Sequence, residues 1–124
     1  GEENEIIFGM RTPEVNALKA KGYVPAAFIK DNAELGEVLN MLEKGWNGED
    51  FKEVIGNLRT ADPYMVLADY ADYRRAQNDL STLYQKRETW NRMSLANIAN
   101  SGIFSADRSV FDYARDIWHT KSVK

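Results

Sequence analysis

The sequence predicts a mainly α-helical fold with one N-terminal strand, and two patterns carry that expectation. Apolar residues recur at helical spacing behind residues that cap helices, and one short β-branched run, Glu5-Ile6-Ile7-Phe8, stops at Gly9. Nothing later resembles a second strand. A lone strand leaves its backbone N–H and C=O groups without ladder partners. Its partner sheet is therefore expected outside these 124 residues.

The helices follow in order. Thr12 reads as an N-cap with Pro13 at the first helical position, Glu14 in the first turn and Gly22 as the stop, and Val15 and Leu18 supply the apolar contacts. Ala27-Phe28-Ile29 can form a turn of helix. Asn32 then caps a segment in which Leu35, Val38, Leu39 and Leu42 fall at i, i+3, i+4 and i+7, ending near Gly45. The spacing recurs behind Asp50 at Phe51, Val54, Ile55 and Leu58, and Asp62-Pro63 repeats the cap-then-proline start. The longest helix carries Val66, Tyr70, Tyr73, Gln77, Leu80 and Tyr84 to about Gln85, with Asp69, Asp72, Arg75 and Asp79 on its wet face. A helix with Trp90, Met93 and Asn97 runs to Gly102. Ser105 caps the last helix, which carries Val110, Ala114, Ile117 and Trp118, and Asp107 favours its positive end.

Composition narrows the function. Sixteen Lys+Arg stand against 19 Asp+Glu, a net charge of −3, and the basic residues are scattered, so no electrostatic footprint for nucleic acid or anionic lipid is present. No apolar run reaches the roughly 20 residues of a membrane span, and Gly1-Glu2-Glu3-Asn4 lacks a signal-peptide pattern. The absence of cysteine excludes disulfides, thiol catalysis and thiolate metal sites and suits a reducing compartment, so a cytoplasmic protein is expected. The chain opens on Gly1 rather than Met, which reads as a processed or truncated start, and it is treated as a single piece over 1–124.

No catalytic centre can be assembled from these residues. His119, the sole histidine, lies past the last apolar position of the last helix and reads as solvated, whereas a triad or zinc site would need it rigidly held among convergent ligands. Asp69/Asp72 and Glu2/Glu3 are carboxylate pairs, but acid–base work needs two carboxyls in a cleft with separated pKa values, and these read as solvated faces. Gly9, Gly45 and Gly48 fit no phosphate-loop pattern. The aromatics, among them Trp46, Tyr64, Tyr70, Tyr73, Tyr84, Trp90, Tyr113 and Trp118, could stack sugars or bases, yet their spacing favours core or docking roles. Asn91, Asn97 and Asn100 are expected to reach neighbouring backbone groups. No catalytic, cofactor-binding or metal-binding residue is assigned.

Several blocks in fixed order are nevertheless recognisable. Gly1 to Arg11, Lys21-Gly22-Tyr23, Val66 to Tyr70 with Tyr73, Trp90 to Met93 with Asn97-Ile98-Ala99, and Ser101 to Arg108 with Tyr113-Ala114 and Ile117-Trp118 closely resemble the C-terminal stretch of glycogen (α-glucan, maltodextrin) phosphorylases. The resemblance implies a GT-B enzyme that uses phosphate to release terminal α-1,4-linked glucose as glucose 1-phosphate, with pyridoxal phosphate on a lysine upstream of this chain. It implies that this stretch closes the second Rossmann-like domain, with 1–104 as strand plus helices and 105–124 as a crossover helix. Its partners would be the missing N-terminal part, α-glucan and phosphate. The Gly45 to Asp50 loop is shorter than in many members, and Ala106 stands where serine is common. The competing expectation is an independent helical interaction domain derived from a phosphorylase.

Overall fold

In the computed structural model, which describes residues 2–121, the helical expectations are met closely where they rest on caps and period. The α-helices are α1 (Thr12–Lys21), α2 (Pro25–Asp31), α3 (Ala33–Glu43), α4 (Lys52–Thr60), α5 (Val66–Gln85), α6 (Arg87–Asn100) and α7 (Ala106–Asp116). Short 3-10 turns cover Glu2–Asn4 and Ser101–Phe104. Asn32 caps α3 by accepting the Leu35 N–H at 3.0 Å, and Ser105 caps α7 by accepting the Arg108 N–H at 3.2 Å. Gly22, with φ 84°, ends α1 in the left-handed region that favours glycine.

The N-terminal strand is not formed. Among the described residues there is no β-strand, and Glu5 to Phe8 is irregular chain. No ladder partner meets this segment here, and side chains of α5 take up part of its backbone instead. Asp72 Oδ2 accepts the Gly9 N–H and Asp69 Oδ1 the Met10 N–H, each at 2.8 Å, while Arg75 donates to the Ile7 carbonyl at 3.0 Å. Phe8 meets Tyr73 edge-on, with ring centroids 5.2 Å apart.

Three helix boundaries also differ from expectation. α1 is capped from Arg11 rather than Thr12, because Glu14 reaches back and accepts the Arg11 N–H at 2.7 Å. α5 begins at Val66 rather than at Pro63, since Asp62 and Met65 both take positive φ (35° and 56°), which the helix cannot contain. α7 ends at Asp116, so Ile117 and Trp118 lie beyond its last turn.

The chain divides into two compact units, Ile7–Leu80 and Gly1–Ile6 with Ser81–Lys124. In the first, α2, α3 and α4 pack on one another around Leu35, Leu39 and Ile55, joined by Leu67 of α5 and flanked by Phe28, Leu42, Phe51 and Tyr70. Ile55 is 1% exposed, whereas Val54, one position earlier, is 58% exposed. The apolar period groups the two, yet at about 100° per residue only one of two neighbours can face α3 squarely. Tyr70 Oη and Arg74 Nε both reach Glu34, at 3.2 and 2.7 Å, and tie α5 to α3.

The second unit has no such centre. No residue of α6 or α7 is buried, and Leu95, Ile98, Phe104, Phe111, Ile117 and Trp118 are exposed apolar groups. Within it Asn97 Nδ2 donates to the Asn4 carbonyl at 3.0 Å, Tyr84 meets Trp90 edge-on, and Tyr113 stacks on Trp118.

Candidate functional site

The most elaborate polar constellation in the first unit centres on Asp62, which the sequence predicts as a helix cap. Its residue is 1% exposed. The Asp62 carboxyl accepts the Val66 N–H at 2.9 Å on Oδ1, and the Leu67 N–H at 2.9 Å and the Tyr23 hydroxyl at 2.5 Å on Oδ2. Burial, reinforced by the Asp62 hydrogen bond, pushes the Tyr23 phenol well above its ordinary range and keeps it a donor. The arrangement satisfies two of the N–H groups that the first turn of α5 leaves without intrahelical partners. It is structural chemistry: all three donors come from the chain itself.

Asp69 and Asp72 form the second constellation. Expected as a solvated face, they hold consecutive backbone N–H groups of Gly9 and Met10. Arg75 bonds Asp72 at 2.6 Å and Asp79 at 2.7 Å. Its guanidinium, helped by the Gly9 N–H, holds the Asp72 carboxyl below the usual carboxylate range. Gly9 is required there on two counts. Its φ is +85°, and a Cβ would lie 2.9 Å from Asp69 Oδ2. Both carboxyls are thus engaged by backbone N–H groups, and that of Asp72 by Arg75 as well.

The remaining residues singled out in the sequence are not brought together. His119 is exposed, with Nδ1 3.0 Å from the Arg115 carbonyl. The Glu2/Glu3 pair includes a side chain, that of Glu2, outside the described residues. Asn97 and Asn100 bond backbone carbonyls, of Asn4 and Ala96 respectively, and Asn91 is exposed. Among the described residues no group of three or more His, Asp or Glu could hold a metal ion. Every described lysine is exposed, and Lys52 is paired with Asp50 at 3.4 Å. A pyridoxal phosphate Schiff base needs a lysine enclosed beside a phosphate cradle, so the residues present do not fit that cofactor.

The segments that order this fold coincide with the blocks singled out in the sequence: Ile7 to Arg11 on Asp69 and Asp72, Tyr23 on Asp62, and Ser105 on Arg108. The carbohydrate phosphorylase family profile matches residues 1–120, and the chain belongs to that family. It is 39% identical to a glycogen phosphorylase of Synechocystis over 99% of its own length and 15% of that relative's. It is 40% identical to the human muscle form of glycogen phosphorylase over 95% of the chain, and 42% identical to the sheep liver form over 96%. Each of those two matches spans 14% of the relative. The chain therefore corresponds to a small part of the length of the relatives it matches. No helix among the described residues is long and apolar enough to cross a membrane.

Proposed function

We propose that this chain is the C-terminal segment of a cytoplasmic glycogen or α-glucan phosphorylase and that it is structural rather than catalytic. The longer enzyme uses inorganic phosphate to release terminal α-1,4-linked glucose as glucose 1-phosphate and depends on pyridoxal phosphate held by a lysine outside this segment. The observation that carries the reading is the pairing of a nearly full-length match of this chain with only 14–15% of each relative. Within the segment, residues 105–124, of which α7 covers Ala106–Asp116 and 122–124 lie outside the described residues, cross back to pack against the upstream polypeptide. Phe111, Ile117 and Trp118, at 65%, 59% and 59% exposure, supply the apolar contacts. Burying three such side chains contributes roughly 1.5–3 kcal/mol each.

Removing residues 105–124 from the longer enzyme is expected to lower its melting temperature by several degrees and to reduce phosphorolysis at assay temperature. Unchanged melting temperature and activity would contradict the assignment. The competing interaction-domain reading would be favoured by a stable 124-residue product in the source cell, with the same aromatic face engaged by another protein.

A further inference from the structure

Asn47 is the one asparagine of this chain that glycine follows, and the structure places the pair at the exposed tip of a turn. Trp46 and Glu49 exchange reciprocal backbone hydrogen bonds at 3.1 and 2.9 Å, and Asn47 and Gly48 between them take φ values of 52° and 84°, as the central residues of a two-residue hairpin turn do. The central pair has no ladder partner. No hydrogen bond joins the Gly48 N–H or the Asn47 side-chain amide to another described residue. A Cβ built on Gly48 would meet no atom within 4 Å beyond its chain neighbours, so the space beside that peptide nitrogen is open.

The other asparagines are held. Those inside α1, α3, α4, α5 and α6 are followed by N–H groups that helical backbone ties to a carbonyl one turn back, and after Asn100 the Ser101 N–H bonds the Ile98 carbonyl. Asn32 commits its side chain to the Leu35 N–H, and Asn4 donates to Glu3 at 3.3 Å. Each of these is followed by a residue whose side chain crowds the peptide nitrogen, whereas Gly48 leaves it bare.

We propose that Asn47 is a site of spontaneous deamidation, with water as the only co-reactant. The Gly48 nitrogen, losing its proton to hydroxide, attacks Asn47 Cγ. The N–Cγ bond forms, the Cγ–Nδ2 bond breaks, and Nδ2 leaves as ammonia. Water then opens the five-membered imide on either side. Cleavage of the new N–Cγ bond gives aspartate in an ordinary chain, and cleavage between the Gly48 nitrogen and the Asn47 main-chain carbonyl gives isoaspartate, with the chain running through the former side chain. Nothing is oxidised or reduced. Either product makes the net charge of −3 one unit more negative, beside Glu49 and Asp50. Isoaspartate also lengthens the turn by one backbone carbon, so Trp46 and Glu49 cannot keep both hydrogen bonds. Those same bonds oppose the rotation that brings the Gly48 nitrogen to Cγ, so the folded chain reacts more slowly than a free peptide.

The test ages the 124-residue chain in neutral and mildly alkaline buffer, digests it with trypsin under mildly acidic conditions and follows by mass spectrometry the peptide 45–52, which holds no other asparagine. The synthetic peptide 45–52 is the reference. The peptide from the aged chain should gain the mass difference between an amide and an acid, in separate aspartate and isoaspartate forms and faster at the higher pH. Every other asparagine should convert at least tenfold more slowly. Isoelectric focusing should show an added acidic species, which Asn47→Gly, compatible with the positive φ, abolishes with unchanged far-UV circular dichroism. No product at Asn47 in the folded chain by the time the synthetic peptide has fully converted, or conversion of other asparagines at a comparable rate, would overturn the proposal.

Discussion

Asp62→Ala is expected to destabilise the Ile7–Leu80 unit by about 3–5 kcal/mol, because three donors lose one shared acceptor at roughly 1–3 kcal/mol each. The loss is not one bond but three. The Val66 and Leu67 N–H groups and the Tyr23 hydroxyl would all lose their acceptor, and the Leu67 N–H is buried. Tyr23→Phe removes a single donor and should cost about 1 kcal/mol. Urea unfolding followed by circular dichroism checks both. Near-equal midpoints for Asp62→Ala and Tyr23→Phe would mean that the carboxyl does not hold the start of α5.

The second large effect is expected at Ile55→Ala, at about 3–4 kcal/mol, within the range for truncating a fully buried aliphatic side chain and leaving a cavity. Ile55 is 1% exposed and sits with Leu35, Leu39 and Leu67 where α3, α4 and α5 converge. Val54→Ala on the same helix removes apolar atoms that are already 58% exposed and should cost well under about 1 kcal/mol. The contrast separates loss of packing from loss of helix propensity, since both substitutions place alanine on α4. Equal effects at the two positions would place the core elsewhere.

Both results turn on what local pattern can and cannot report. Asn32 and Ser105 were legible because a cap is a short-range interaction between a side chain and an N–H three residues on. The Leu35 to Leu42 period was legible because one face of one helix packs against neighbours. The long-range partners of Asp62 and Asp72 were not. Asp62 receives Tyr23 from 39 positions away, and Asp72 receives Gly9 from 63 positions away. No window along the sequence distinguishes such carboxyls from solvated ones.

The expected strand failed for a related reason. An apolar, β-branched run specifies a strand only when a second edge completes the ladder. In residues 2–121 that edge is missing, and the carboxyls of α5 take the Gly9 and Met10 N–H groups instead. Trp46 was grouped with the aromatics whose spacing favours core or docking roles, whereas it exchanges backbone hydrogen bonds with Glu49 across a turn, a setting whose signal was present in the sequence. Asn47-Gly48 is the dipeptide that two-residue hairpin turns require. The exposed apolar residues of α6 and α7 agree with the proposed reading of this chain as a segment covered by the rest of a longer polypeptide. Nothing in the described residues encloses a lysine, and nothing in them covers Ile98, Phe104 or Phe111.

The most direct measurement of that account is an immunoblot of the source cell's extract with antibody raised against this chain, with the reactive species isolated and assayed for phosphate-dependent release of glucose 1-phosphate from glycogen. The account predicts a band several times larger than 14.2 kDa that carries the activity, while the isolated 124-residue chain releases none. A band at 14.2 kDa without activity, or phosphorolysis by the isolated chain itself, would contradict it.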